Sequence, residues 1–476
     1  MQTEPQSWLL RFLAIGVGFA LLALVELGLR LLDVAGPGEP VEDLFAARGP
    51  AFVERPDGRL GPSEARRGFL LDVPFSRAKP PGTRRIALLG GSTAMGFPLE
   101  RAYDPSTLLE SAFSAIDPET RYEVLNAGGF AYASHRILGL ARELLAHDLD
   151  LAIVMTGHNE FLEKRYSAPG DHVFEGLRLY RALAGVLLRE SPYGAVRWAA
   201  HRVDDAERAQ VAAGFEANLR AIARACREAG VPLLLVSLPA NMAFGPNGAS
   251  AIPRAELAEL HAALRRGEVE DARLQLEAWH ARVGDDPWWV FTRGLIAPPH
   301  REAGSAGPCA PGDDLCRARD LDPIPVRITS PLERVLASVS EEEAVALAVP
   351  GRDPAFAERI SGDIFYDHCH LQPAGQRALA ASVLRALPTD WLEASEDPER
   401  LAAAAWARLE AGLPPRKRAL PAARIAYETG LNMNRPQRGL GWARHALSLD
   451  AGLGKARWVQ QELSKRARDL PPLMGE

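Results

Sequence analysis

Four short apolar runs that end at small or polar residues constrain the fold of this chain most strongly. They cover residues 84–89, 122–125, 149–156 and 231–238. Patterns typical of amphipathic helices separate them, at residues 106–115, 135–146 and 206–229. This alternation predicts an α/β fold, in which a parallel sheet is covered by helices on both faces. In such folds, ligands bind beyond the carboxyl ends of the strands.

Chain length and charge narrow the classes of function. The chain has 476 residues, of which 47% are hydrophobic and 24% are charged. This ordinary globular composition argues against disordered, collagen-like and coiled-coil chains. The net charge is −6, and the lysines and arginines form no basic run, so we expect no nucleic-acid partner. The length leaves room for an enzyme-sized pocket and for further domains.

The segment closest to the N-terminus is the most apolar part of the chain. Only Arg11, Glu26 and Arg30 interrupt its apolar run, and on a helix the last two can pair. Because about 20 helical residues span a bilayer core, we predict an uncleaved membrane anchor over residues 1–35. A cleaved secretory signal and a buried soluble helix are the alternatives. Residues 36–83, rich in Pro, Gly and Arg, are predicted to form a stalk or linker.

Further helical patterns interrupt and follow the predicted α/β domain. They cover residues 255–265, 269–283, 422–430 and 440–449. In the first pair, the spacing of Ala272, Leu276 and Trp279 resembles that of tetratricopeptide repeats. We therefore predict a helical insert at about 250–322 and a helical C-terminal region at 388–476. These helices either form a groove for a protein partner or simply pack together.

The first predicted strand ends in the sequence GGST at residues 90–93. Glycines allow a sharp backbone turn, which leaves a reactant room to approach Ser92 and suits a nucleophile. A phosphate-binding turn and an ordinary loop serine are the alternatives. The sequence is not the G-x-S-x-G elbow of α/β-hydrolases, since Ala94 stands where that pattern has its second glycine.

The next two predicted strands end in turns that contain asparagine. NAGGFA occupies residues 126–131, and GHNE occupies residues 157–160. An asparagine amide at the end of a strand can donate a hydrogen bond to a developing oxyanion. The alternative is an asparagine that only caps a turn.

The sequence DHCH at residues 367–370 precedes a predicted helix at about 376–387. The spacing of three lets the Asp367 carboxylate orient the His370 imidazole, which could then take a proton from a serine. A histidine with a purely structural role is the alternative. Four potential metal ligands are crowded here without a second cluster elsewhere, so we predict no metal site and no cofactor.

The four blocks GGST, NAGGFA, GHNE and DHCH, in this order, resemble those of the SGNH/GDSL hydrolase superfamily. The resemblance covers residues 84–387, and the spacing of its last block is the most specific part. It implies a flavodoxin-like three-layer α/β/α domain that handles acyl groups through an acyl-serine. By the same resemblance, Ser92 is the nucleophile, His370 the general base and later acid, and Asp367 the carboxylate that orients the histidine.

The resemblance also implies an oxyanion hole. Its donors would be the Asn159 side chain and the backbone N–H groups of Ser92 and Ala131. Ala131 stands where the family has glycine, which narrows the approach to that donor. Two further departures are Gly91 in place of the family's aspartate and Glu160 in place of the usual aspartate after the block asparagine. Neither departure removes a catalytic group.

A narrower resemblance is to bacterial membrane-anchored SGNH proteins that carry tetratricopeptide-like helices. It rests on the N-terminal apolar segment, the blocks, the helical hairpin and the sequence ARDLD at residues 318–322. It implies a single-pass protein of the bacterial inner (cytoplasmic) membrane with an extracytoplasmic, periplasmic catalytic domain. In that compartment Cys309 and Cys316 could form a stable disulfide, and two free thiols are the alternative.

Three functions remain open at the level of sequence. The first is an extracytoplasmic serine esterase or deacylase acting on an ester or an acylated glycan. The second is an O-acyltransferase that passes the acyl group to a cell-surface polysaccharide. The third is an interaction scaffold that uses the repeat-like helices and performs no catalysis.

Overall fold

The computed structural model of the chain describes residues 5–31, 50–99, 104–162, 179, 202–296, 312–352, 356, 364–388, 391, 397–411, 413–467 and 474. These residues belong to two compact units. The first unit comprises Met1–Arg48 and Glu163–Arg197, and the second comprises Gly49–Leu162 and Trp198–Glu476. All elements discussed below, apart from the first helix, belong to the second unit.

The strands and helices are numbered along the chain. The strands are β1 (Phe52–Glu54), β2 (Arg59–Pro62), β3 (Phe75–Ser76), β4 (Thr83–Gly90), β5 (Arg121–Gly128), β6 (Leu151–Thr156), β7 (Leu233–Ser237) and β8 (Ala346–Ala348). The helices are α1 (Pro5–Leu31), α2 (Ser92–Met95), α3 (Pro105–Ile116), α4 (Ser134–Leu144), α5 (Asp205–Glu228), α6 (Arg254–Arg265), α7 (Val269–Val283), α8 (Pro287–Ile296), α9 (Asp314–Leu321), α10 (Ser330–Glu342), α11 (Pro373–Arg385), α12 (Pro398–Ala411), α13 (Pro415–Tyr427), α14 (Pro436–Leu449) and α15 (Gly454–Arg466). A π-helical turn, Glu428–Asn432, directly follows α13.

A five-stranded parallel sheet forms the centre of the second unit. Its strand order is β5-β4-β6-β7-β8, and every adjacent pair is parallel. Counted within this sheet, the order is 2-1-3-4-5, which is the flavodoxin-like arrangement. The predicted α/β fold with a flavodoxin-like parallel sheet is therefore confirmed.

Helices cover both faces of this sheet, which accounts for its apolar strands. Strand β4 buries Ile86, Leu88 and their neighbours completely, as expected for a strand with no exposed face. Ile86 and Leu88 pack in one cluster with residues of α3 and α11. On the other face, α5 contacts both α4 and α10. The result is the predicted three-layer α/β/α domain.

Two parts of the fold differ from the prediction or extend it. Within the predicted stalk, strands β1, β2 and β3 form a small antiparallel sheet. Strands of two to four residues leave no periodicity in a sequence, so the stalk prediction missed them. Strand β8, three residues long, and helix α10 were missed as well. The side chain of Arg85 ties the small sheet to the domain, since it donates hydrogen bonds to the Ser76 carbonyl at 2.9 Å and to Glu123 at 2.7 Å.

The predicted helical hairpin is present as α6 and α7. Ala272, Leu276 and Trp279 are buried together with Trp288 and Trp289 of α8, in a cluster separate from the core of the sheet. The predicted helical C-terminal region is also present, as α12 to α15. A tetratricopeptide identity for these helices and a protein partner stay predictions.

The predicted anchor and the predicted disulfide concern segments that are described only in part. Helix α1 covers Pro5–Leu31. Among the residues that the structure describes, no helix is both long enough and apolar enough to cross a bilayer, and the membrane anchor stays a prediction. Cys316 is disulfide-bonded, while Cys226 and Cys369 are free and buried. The predicted partner of Cys316, Cys309, lies outside the described residues.

Candidate active site

The carboxyl edge of the sheet brings residues of all four sequence blocks together. Ser92 begins α2 directly after β4, and Asn159 follows β6 after a turn of two residues. Asp367 and His370 lie in the loop that leads into α11. The strands are parallel, so their carboxyl ends meet at one edge, where ligands of such folds bind. Ser92, Asn159, Asp367 and His370 line one pocket, together with Ala131.

Ser92, His370 and Asp367 form a continuous series of hydrogen bonds. His370 Nε2 lies 2.8 Å from Ser92 Oγ, and His370 Nδ1 lies 2.7 Å from Asp367 Oδ2. All three side chains are buried. Because an ionised carboxylate only accepts hydrogen bonds, His370 Nδ1 carries the proton and Nε2 is left to accept the proton of the serine hydroxyl.

The loop that carries Asp367 and His370 is fixed from several sides. Asp367 Oδ1 accepts the backbone N–H groups of Cys369 at 2.9 Å and of His370 at 2.8 Å. The Asn241 side chain donates to the Asp367 carbonyl at 2.6 Å. The ring of Phe97 lies edge-on to His370, with centroids 4.8 Å apart. These contacts hold the imidazole between serine and carboxylate, as efficient proton transfer requires.

Sequence reasoning missed Asn241 and Phe97. Asn241 follows the carboxyl end of β7 by four residues, and a polar residue after a strand end was the signal that could have identified it. Phe97 follows α2 and has no comparable signal, since a single aromatic residue in a loop fits many roles.

Burial and neighbouring charges shift the pKa values of Asp367 and His370 in opposite directions. Burial would raise the pKa of Asp367, but His370 and His368 outweigh it and lower that pKa far below its usual range. Burial would lower the pKa of His370, but the Asp367 carboxylate, supported by Cys369, raises it well above its usual value. Asp367 therefore stays ionised near neutral pH and stabilises the charged imidazole that forms when His370 takes a proton.

The three residues predicted to form the oxyanion hole, Ser92, Ala131 and Asn159, line the same pocket. The Asn159 amide donates one hydrogen to the Tyr132 carbonyl at 2.9 Å, which orients the amide and leaves its second hydrogen for a ligand. Within the described part of the chain, the backbone N–H groups of Ser92 and Ala131 donate to no other residue. Donors preorganised in this way stabilise the tetrahedral intermediate of acyl transfer.

Ala131 has a left-handed backbone conformation, with φ at 59°. Residues other than glycine seldom adopt this conformation, which fits the glycine that the resemblance implies at this position. Ala131 nevertheless lines the same pocket as Ser92. An alanine retains the backbone N–H that a glycine would offer and adds a methyl group, and the role of this N–H as an oxyanion donor stays a prediction.

Two polar residues of the blocks have structural roles. Asn126 donates to the Ala94 carbonyl at 3.1 Å and accepts the Gly128 N–H at 2.9 Å, so it connects the end of β5 to α2. Glu160 accepts the backbone N–H of Ser134 at 2.8 Å and the Ser134 hydroxyl at 2.9 Å, at the start of α4. A carboxylate at a helix N-terminus is favourable, so Glu160 stabilises the fold beneath Asn159.

A metal ion would compete with the hydrogen bonds of this site. Ligand atoms of Asp367, Cys369 and His370 lie within 4.8 Å of one another, and all three residues are buried. However, both ring nitrogens of His370 are engaged, one with Asp367 and the other with Ser92. A metal bound to His370 would therefore replace one of the two contacts that connect serine, histidine and aspartate.

A substitution at Gly91 tests the position of the Asn159 side-chain amide, the predicted hydrogen-bond donor. A β-carbon at Gly91 would overlap the Asn159 amide nitrogen and approach the Tyr132 carbonyl to 3.1 Å. We expect Gly91→Ala to displace this donor and lower kcat for p-nitrophenyl acetate by about 10- to 100-fold, somewhat less than outright loss of an oxyanion donor. Gly139→Ala is the matched control, because a β-carbon there meets nothing within 4 Å. Equal rates for the two variants would contradict this placement of Asn159.

The raised pKa of His370 predicts the pH dependence of the reaction. His370 acts as a base only when it is neutral, and Asp367 keeps it protonated to higher pH than an ordinary histidine. We therefore expect kcat/KM for p-nitrophenyl acetate to rise with pH, with an apparent pKa above about 6.5, the ordinary value for histidine. The profile is measured after subtraction of spontaneous hydrolysis. A profile that is flat above pH 6 would contradict this description of His370.

The chain is similar to several solved structures at low sequence identity. No family model and no curated protein matches the chain. Among solved structures, the chain is similar to TesA, with 14% identity over 65% of this chain and 99% of that chain, and a TM-score of 0.32. It is also similar to AlinE4, an SGNH-hydrolase family esterase, with 20% identity over 33% of this chain and 60% of that chain, and a TM-score of 0.20.

A third similar structure is a catalytic mutant of Axe2, an acetylxylan esterase from Geobacillus stearothermophilus. It has 12% identity over 65% of this chain and 97% of that chain, with a TM-score of 0.32. By its strand order, its four sequence blocks and the contacts of Ser92 with His370, the chain resembles the SGNH/GDSL hydrolase superfamily.

Proposed function

We propose that this protein is a serine esterase that hydrolyses a short acyl ester through an acyl-serine intermediate. The observation that carries the proposal is the hydrogen-bonded series from Ser92 through His370 to Asp367. A scaffold without catalytic activity would not require this series, nor the free donors beside it. The geometry therefore favours an enzyme over an interaction protein.

The proposed reaction uses each group in turn. His370 Nε2 takes the hydroxyl proton as Ser92 Oγ attacks the ester carbonyl, and the donors at Ser92, Ala131 and Asn159 stabilise the oxyanion. Collapse of this intermediate breaks the bond to the alcohol, which leaves with the proton from His370. Water then attacks the acyl-serine and gives its proton to His370. The carboxylic acid is released, and Ser92 regains its proton.

The size of the pocket favours a short acyl group. Its free volume is about 30 Å³, which is room for one or two water-sized groups. Phe97, Phe130 and Met433 contribute apolar side chains to its wall. An acetyl group fits this space better than a long acyl chain, because each further methylene would have to displace packed side chains.

A comparison of acyl chain lengths tests the proposed function. We expect the full chain to hydrolyse p-nitrophenyl acetate with a kcat/KM at least about 10-fold higher than that for p-nitrophenyl octanoate. A preference for octanoate would contradict the acetyl assignment. If the chain hydrolyses neither ester but transfers the acetyl group of p-nitrophenyl acetate to an added sugar, the O-acyltransferase function would be favoured instead. Lack of both reactions would favour the scaffold.

We further propose that the enzyme acts outside the cytoplasm. The support is the disulfide-bonded Cys316, because such bonds persist mainly in oxidising compartments. The predicted N-terminal anchor would tether the enzyme there. We expect a signal in bacteria from a C-terminal reporter that is active only after export. A signal from a reporter active only in the cytoplasm would contradict this location.

A further inference from the structure

The C-terminal helical region contributes one wall of the active-site pocket. Glu428, Asn432 and Met433 line the pocket together with Ser92 and His370. The first two belong to the π-helical turn between α13 and α14. These residues lie outside the four sequence blocks, and Glu428 and Asn432 have no part in the reaction described above.

This wall is fixed directly to the catalytic loop. Trp442 of α14 donates its indole N–H to the carbonyl of Tyr366, at 2.9 Å, and Tyr366 immediately precedes Asp367. The rings of Trp442 and Tyr366 also pack edge-to-face, with centroids 4.9 Å apart. Arg438 adds a longer contact to the same carbonyl, at 3.4 Å. The wall and the catalytic groups therefore have a fixed relative position.

The turn itself is held by close backbone packing. Gly430 in the turn lies against Gly439 of α14, so that a β-carbon on Gly439 would come within 2.6 Å of the Gly430 Cα. Only two glycines allow so close an approach. This packing sets the position from which Glu428 and Asn432 face the pocket.

Glu428 and Asn432 form a polar pair in an otherwise largely apolar wall. Asn432 donates its amide to Glu428 Oε2 at 2.6 Å, and within the described residues Glu428 Oε1 has no hydrogen-bond partner. Burial raises the pKa of Glu428, although Asn432, His370 and Lys455 partly counteract it. The pair thus presents a half-buried acceptor, Glu428 Oε1, and an exposed amide that both donates and accepts.

We propose that Glu428 and Asn432 bind hydroxyl groups on the alcohol half of the substrate, so that the enzyme acts on acyl esters of a sugar. This inference rests on the proposed function. Glu428 and Asn432 line the same pocket as Ser92, so they face an ester that is bound there. An acceptor beside an amide suits neighbouring hydroxyls, which both donate and accept.

Variants of Glu428 test this inference on two acetyl esters, a monoacetylated methyl glucoside and p-nitrophenyl acetate. We expect Glu428→Ala to lower kcat/KM for the sugar ester by about 10- to 100-fold, and at least about 10-fold more than for the nitrophenyl ester, which has no hydroxyl. Glu428→Gln keeps an acceptor and should recover most of the lost activity. Glu462→Ala, in an exposed ion pair of α15, is the matched control and should change neither rate.

Each other outcome has a distinct meaning. Two results would contradict the sugar site but not the proposed esterase activity. One is an equal loss of kcat/KM on both esters in Glu428→Ala, and the other is a wild-type enzyme that is active only on the nitrophenyl ester. Recognition of a cation would be shown by two results together: Glu428→Gln is as impaired as Glu428→Ala, and the wild type prefers acetylcholine as a substrate. These results would overturn the proposal. Inactivity of the folded wild type on both esters would contradict the proposed function itself.

Discussion

Ser92→Ala is expected to reduce kcat for p-nitrophenyl acetate by about 10⁴- to 10⁶-fold, because the variant lacks the oxygen that forms the acyl-enzyme. The oxyanion donors at Ala131 and Asn159 remain, so a small residual rate above the spontaneous reaction is expected. The substitution removes one oxygen from a buried side chain and adds no volume. The fold should therefore survive, which circular dichroism and thermal unfolding would check.

Ser382→Ala is the matched control for this loss. Ser382 is a buried serine of α11, the helix that follows the catalytic loop, and its hydroxyl has no hydrogen-bond partner among the described residues. Its removal should leave kcat unchanged. A Ser92→Ala enzyme that keeps more than about a tenth of the wild-type rate would exclude Ser92 as the nucleophile.

Asp367→Asn is expected to lower kcat by about 10³- to 10⁴-fold while leaving the loop in place. The amide oxygen of asparagine can still accept the backbone N–H groups of Cys369 and His370. The amide nitrogen would then face His370 Nδ1 and donate to it. This forces the ring proton onto Nε2, so that the imidazole no longer accepts the proton of Ser92. Loss of the negative charge should also lower the apparent pKa of kcat/KM.

Asp286→Asn provides a control with the same local geometry. Asp286 accepts the backbone N–H groups of the residues two and three positions later, Trp288 at 2.9 Å and Trp289 at 3.2 Å, as Asp367 does in its own loop. It contacts no histidine of the catalytic pocket. We expect its kcat and pH profile to match those of the wild type. A similar loss in both variants would mean that Asp367 matters only for the fold.

The sequence predicts the central sheet well because its strands are buried on both faces. Strands β4 to β7 each contain a nearly continuous apolar run, and such runs are visible without knowledge of the fold. Strand β8 has three residues and the small sheet has strands of two to four, which is too short for any period to emerge. The boundaries of the long helices α5 and α7 fall within two residues of those predicted.

The candidate site is predictable only where its residues lie in local patterns. Ser92, Asn159 and the pair of Asp367 and His370 each belong to a recognisable block, and the structure places them around one pocket. Glu428 reaches the same pocket from a helical region 58 residues beyond His370. No local pattern marks it, because its position depends on how α13 and α14 pack on the catalytic loop. Specificity residues of this kind emerge only from tertiary structure.

Covalent labelling tests the central claim, an activated serine at position 92, most directly. A fluorophosphonate reacts with a serine oxygen that an adjacent base has activated, forming a phosphorus–oxygen bond and releasing fluoride. Intact-protein and peptide mass spectrometry should show one adduct per chain, on Ser92, in step with loss of esterase activity. Labelling should be greatly slowed in Asp367→Asn. An active enzyme that takes no label, or carries it on another residue, would contradict the account.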